Sequence, residues 1–160
     1  SSADPPLERN EAEGPLCVWT ERLAETSVGR IVHDSATQWI QDESALPLRT
    51  KLFVLAVVAR GLHCEHLEGR ATDLLCHRCG MAEAEVEAVV DHLRGEAIAD
   101  REAALLRLAR EAIRYDAGWL QTTVRERTQA LSRAETIDAV ATIGMTNALA
   151  RLHALAPLEA

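Results

Sequence analysis

Apolar residues recur three or four positions apart through most of the chain. They are densest after Pro47, in LRTKLFVLAVVARGL, where Leu52, Leu55, Ala56, Ala59 and Leu62 share one helical face and Phe53, Val54, Val57 and Val58 fill the others. A helix apolar nearly all round must be buried on most faces, either at the centre of its own domain or under another subunit. Proline suits its first turn. Gly61 loosens its end, a second helix is expected from about Cys64 to Cys79, and Gly80 stands where a left-handed cap closes it. MAEAEVEAVVDHL follows, with Val86, Val89, Val90 and Leu93 on one face. Asp100 is expected to N-cap REAALLRLAREAIRYD, whose stripe is Ala104, Leu105, Leu108, Ala109, Ala112 and Ile113.

A helix over about Leu120–Leu131 comes next. Ser132, with Glu135 three residues on, then forms a capping box for RAETIDAVATIGMTNALARLHAL, which stops before Pro157. The small residues Ala141, Gly144 and Ala148 would let another helix approach that one closely. Upstream, two shorter helices are expected at about Leu16–Ser27 and Ile31–Gln41, anchored by Trp19, Leu23, Val28, Ile31, Trp39 and Ile40. Residues 1–15 are acidic, rich in proline and glycine and without period, as in a flexible arm. The pattern predicts an all-α helical bundle, one domain over residues 16–157.

Composition supports that fold and narrows the partners. Aromatic residues are only 3% of the 160, while strong helix formers such as Ala, Leu, Arg and Glu abound. The formal charge is −8. Such a surface repels a nucleic-acid duplex or an anionic membrane, and no basic stripe interleaved with aromatics is present. No apolar run approaches about 18 residues and no signal-peptide pattern opens the chain. The expectation is a cytoplasmic protein with no nucleic-acid or membrane partner, whose four cysteines stay as thiols unless they are catalytic or bind metal.

Candidate chemistry concentrates in RGLHCEHLEGRATDLLCHRCGMAEAEV, residues 60–86. Cys64 falls at the start of a helix, where the dipole favours thiolate, although Glu65 and Glu68 oppose it. The plainer reading is a small buried thiol at a tight helix start. Glu65 and His66 could form an acid/base pair, or an acidic residue that suits the dipole beside a structural histidine. Glu68 lies a turn further on. Cys76-His77-Arg78-Cys79 is a C-x-x-C, but at a helix C-terminus the dipole opposes a thiolate, so these read as core or interface thiols. Twelve helical residues, roughly 18 Å at about 1.5 Å each, separate the two cysteine groups, so one subunit could not gather both around a zinc ion. His33, His92 and His153 stand apart and read as structural, and Trp119 and Tyr115 as core or pocket wall.

From Leu48 to Pro157 the order of elements resembles the AhpD-like superfamily, which includes alkylhydroperoxidases and carboxymuconolactone decarboxylases. The resemblance rests on the apolar helix, the turn at Cys64, the CGMAEAEV junction, the REAALLRLAREAI helix, and a last helix carrying Asn147 and Arg151-Leu152. Peroxidase members carry C-x-x-C-x-x-x-H at the turn. Cys64 matches the first cysteine and His66 a histidine that some members place between the two. Leu67 replaces the second cysteine, Ala71 the final histidine, and Leu52 the glutamate expected one helix earlier. Decarboxylase members carry E-H here, as in Glu65-His66.

The resemblance implies a homo-oligomer, a trimer or hexamer, with active sites near helix ends and a small-molecule substrate. No cofactor and no bound metal are expected, with a metal site pooled between subunits kept as an alternative. One reading is a thiol-dependent, peroxidase-like oxidoreductase with Cys64 as nucleophile or redox thiol, His66 as acid/base and Glu65 as its orienter, served by a separate thiol reductant. The second is a lyase or isomerase using Glu65 and His66 without redox. In either, Glu68 and Asn147 would contact substrate. The third is a non-catalytic oligomeric binding protein with a degenerate site.

Overall fold

A computed structural model describes residues 23–114, 117–127 and 129–155, the side chains of residues 117, 119, 120 and 127 excepted. Seven helices and no strand occur among them: α1 (Ser27–Gln41), α2 (Leu48–Gly61), α3 (Glu65–Cys79), α4 (Glu83–His92), α5 (Asp100–Glu111), α6 (Ala117–Arg127) and α7 (Arg133–Leu155). No described helix is long and apolar enough to cross a membrane. The acidic arm, Trp19, most of the Leu16–Ser27 segment, Tyr115 and Pro157 lie outside the described residues, as does the Trp119 side chain.

α2 is the centre. Ten consecutive residues, Thr50 to Ala59, are buried, and α1, α3, α4, α5 and α7 all pack on it. Of the two ways to bury an all-round apolar helix, this chain covers it with its own helices. One of the ten is Lys51, whose side chain is 1% exposed. Its Nζ donates to Trp39 O at 2.8 Å and to Asp42 O, and lies 3.4 Å from Asp138 Oδ2. The ammonium thus meets the carbonyls at the end of α1, the negative end of that helix, and a carboxylate from α7. Trp39 Nε1 donates to Thr142 Oγ1 at 2.7 Å, adding a second link between α1 and α7.

The two ends of α2 are tied by charge. At its start, Arg49 pairs with Glu102 at 2.8 Å and Thr50 Oγ1 donates to the same carboxylate at 2.9 Å, joining α5. At its end, Arg60 bonds Glu68 of α3 at 2.7 Å and both carboxylate oxygens of Glu87 of α4 at 2.9 Å. Burial disfavours the Arg60 charge, yet the hydrogen bonds it donates to Glu68 and Glu87 outweigh that and hold the guanidinium above its ordinary pKa.

The helix ends show where local signals governed. Gly80 has φ +68° and closes α3 in the left-handed conformation, as expected. Ser132 and Glu135 form the full capping box, with Ser132 N–H donating to Glu135 at 2.6 Å and Glu135 N–H to Ser132 Oγ at 3.2 Å. The expected Asp100 cap is corrected by one residue. Ala99 is the cap, and Glu102 accepts its N–H at 3.1 Å, because the Arg49 and Thr50 bonds hold that carboxylate in place. α1 begins at Ser27 rather than Ile31, capped by Thr26 Oγ1, which accepts from Gly29 N–H at 3.0 Å. A Cβ at Gly29 would collide with Leu23 O, so glycine lets the preceding turn lie against the helix. Val28 and Ile31, expected as anchors, are instead 73% and 66% exposed. On α7, Ala141, Gly144 and Ala148 face outward with Ile137 and Val140, and no atom lies within 4 Å of a Cβ built on Gly144.

Removing one partner of a buried ionic contact leaves the others desolvated and unmatched, which costs about 3–5 kcal/mol. Lys51→Ala is expected to lose about that much in urea unfolding, and a loss under about 1 kcal/mol would mean the ammonium is dispensable.

Candidate functional site at the end of the central helix

Where α2 runs out of the core the chain reverses within three residues. Leu62, His63 and Cys64 donate their N–H groups back to Val58, Arg60 and Ala59 at 3.0, 3.0 and 2.9 Å. His63 takes φ +56°, a conformation uncommon for a residue with a side chain. A Cβ at Gly61 would collide with Ile113 Cδ1, so the glycine admits the segment after α5 to this corner.

This reversal makes Cys64 the N-cap residue of α3, at the helix mouth rather than within its first turn. Its carbonyl accepts from Glu68 N–H at 3.1 Å, and its side chain makes no capping bond. The residue is 8% exposed and a free thiol. It heads the inward stripe of α3, followed by Leu67, Ala71 and Leu75, all buried. The two positions where the peroxidase pattern has its second cysteine and its histidine are thus core.

The other expected site residues are not all gathered here. Glu65 is exposed, so its carboxylate is not enclosed with Cys64. Glu68 is engaged by Arg60. His66 is part-buried, and its ring stacks on His153 with centroids 4.6 Å apart and planes 13° from parallel. Asn147 is part-buried on α7, six residues before His153 and so about 120° round the helix from it.

His153 was the residue that spacing could not find. It lies 87 positions beyond His66 and meets it because α3 and α7 both pack along α2. The expectation that it stands alone is corrected by that stack. His66 Nε2, His153 Nδ1 and Glu111 Oε2 are all sealed from solvent, and His153 Nδ1 meets no hydrogen-bonding group among the described residues.

Cys76 and Cys79 are part-buried against the core at the other end of α3. Burial pushes both thiols up. Glu83 and Asp73 add to the effect at Cys76, while Arg49 partly offsets it at Cys79. Among the described residues, no group of three or more His, Cys, Asp or Glu could hold a metal ion.

Together these features define an all-helical bundle with a buried thiol at the mouth of one helix, two residues from a histidine stacked on another. The debrominase Bmp8 shares that bundle. Its ligand-free crystal structure superposes with a TM-score of 0.70 at 15% identity, covering 94% of this chain and 87% of that one. A cysteine-to-alanine variant of Bmp8 in complex with 2,3,4-tribromopyrrole gives 0.68 at 14%, covering 97% and 89%. At that identity the likeness is one of fold, and it agrees with the all-α resemblance drawn from the sequence. No protein-family model and no curated protein matches the chain.

A raised pKa leaves less thiolate at a given pH, so Cys76 and Cys79 are expected to alkylate several-fold more slowly than free cysteine at pH 8. Site-resolved mass spectrometry with iodoacetamide checks this; rates at or above that of free cysteine would contradict it.

Proposed function

We propose that this protein is a thiol-dependent enzyme acting on a small organic molecule, with Cys64 as nucleophile and His66 as its acid/base. The observation that carries the reading is the placement of Cys64 as the N-cap of α3, its thiol withdrawn from water at the positive end of a helix two residues before the stacked His66. A helix N-terminus is a setting in which a cysteine can serve as a nucleophile.

The fold shared with Bmp8 supports a small-molecule substrate, and its tribromopyrrole complex suggests a halogenated heteroaromatic ring. The Cys64 thiolate would take the halogen from carbon, forming a sulfenyl halide, while the carbon receives a proton from His66. A first molecule of a small thiol reductant displaces halide to give a mixed disulfide. A second releases the Cys64 thiolate and leaves the reductant as its disulfide. The chain needs that external thiol because Leu67, not cysteine, follows Cys64 at the resolving position. The peroxidase alternative uses the same thiol, with a sulfenic acid as the intermediate.

Glu65, being exposed, is read as favouring the helix dipole rather than orienting His66. Glu68 is read as a scaffold residue held by Arg60, and Asn147 as a substrate contact from α7. The test is turnover of 2,3,4-tribromopyrrole and of an organic hydroperoxide with a dithiol reductant. Cys64→Ser is expected to lose at least about 100-fold and His66→Ala about 10- to 100-fold. Turnover that survives Cys64→Ser but not His66→Ala would replace this reading with the lyase or isomerase that moves protons only. Absence of any turnover, with substrate bound unchanged, would leave the non-catalytic binding protein.

The outward apolar face of α7 supports a homo-oligomer, a trimer or hexamer, in which Gly144 meets another subunit. Sedimentation velocity is expected to give a mass several times 17.5 kDa, falling towards one chain in Gly144→Arg. A monomeric wild type would contradict it.

A further inference from the structure

We propose that His153 is the positioning residue of this site: its ring clamps that of His66 in the orientation from which His66 serves Cys64, an inference that rests on the reading of those two residues above. A histidine near the start of a helix has several side-chain rotamers open to it. Here one face of the His66 ring is covered by a ring from the last turn of α7, 4.6 Å away and nearly parallel. In a face-to-face stack the nitrogens of each ring lie in its own plane and point past the other ring. His153 is therefore badly placed to exchange a proton with His66, and acts on it through contact area and orientation.

The surroundings of His153 agree. Its Nδ1 is sealed from water and meets no hydrogen-bonding group among the described residues, so that nitrogen does not hold the ring in place. The contact that the described residues give the ring is its stack on His66. The contact also joins the last helix of the chain to the turn that presents Cys64, so the site is complete only when the end of α7 is docked. Leu155, two residues on, is 86% exposed, while Leu152 and His153 are the part-buried side chains of that final turn.

The inference predicts that a flat ring of any kind suffices at position 153. The experiment measures the rate of Cys64 alkylation by iodoacetamide at pH 7, resolved by mass spectrometry, in the full chain and in His66→Ala, His153→Leu and His153→Phe. Proton NMR of the His66 C2–H follows the stack through its upfield ring-current shift in the full chain and the two His153 variants. His66→Ala is expected to slow Cys64 about tenfold, as expected when an acid/base partner is lost. His153→Leu should slow it as much and abolish the upfield shift, while His153→Phe should stay within about twofold of wild type and keep the shift.

A His153→Phe as slow as His153→Leu, or a His153→Leu as fast as wild type beside a slow His66→Ala, overturns the inference. Equal rates in wild type and His66→Ala overturn the reading of Cys64 and His66 instead. The clamp is then judged on the NMR alone: a shift lost in His153→Leu and kept in His153→Phe supports it, and a wild-type His66 without the shift overturns it.

Discussion

Ten consecutive residues of α2 are shut away from water, and the rest of the molecule follows from the need to cover them. A helix with one apolar stripe needs a partner on one side, but one that is apolar on every side needs a ring of partners. Five helices supply it. The cost falls on Lys51, the one charged side chain inside the buried run. It is met by carbonyls at the end of α1 and by Asp138 of α7, so the same ammonium that burial would penalise fixes where two of the surrounding helices lie. Ion pairs that keep part of their contact with water gather at the ends, through Arg49 with Glu102 and Arg60 with Glu68 and Glu87.

The candidate site is a consequence of that arrangement. When α2 leaves the core the chain must turn at once to bring α3 back along it, and the residue that ends the turn becomes the cap of the next helix. That residue is Cys64. Its sulfur heads an inward stripe and so sits in an apolar surrounding, while Glu65 and His66 fall on other faces of the helix. One of these reaches solvent and the other reaches α7. Of three residues that read as neighbours along the chain, Glu65 is turned out to water while Cys64 and His66 stay at least part-buried. The partner His66 acquires is 87 residues away.

Leu67 and Ala71, which stand where the peroxidase pattern has a cysteine and a histidine, fit the same frame. Both lie on the buried face, so the stripe below Cys64 is apolar and carries no thiol in the next turn of α3. A second thiol for Cys64 is then not supplied by the next turn of α3.

By itself the sequence determined the all-helical class, the buried central helix, the glycine cap at Gly80 and the capping box at Ser132 and Glu135, because each depends on residues within a few positions of one another. It also marked the turn at Cys64 and separated it from Cys76 and Cys79, since a helix sets its own length. Tertiary structure alone decided that Glu102 rather than Asp100 would complete the cap of α5, that Val28 and Ile31 would face outward, that Arg60 would take Glu68, and that His153 would lie on His66. Those outcomes turn on which helices pack side by side around α2. That packing is set by the summed fit of many apolar side chains, and no short stretch of the chain encodes it.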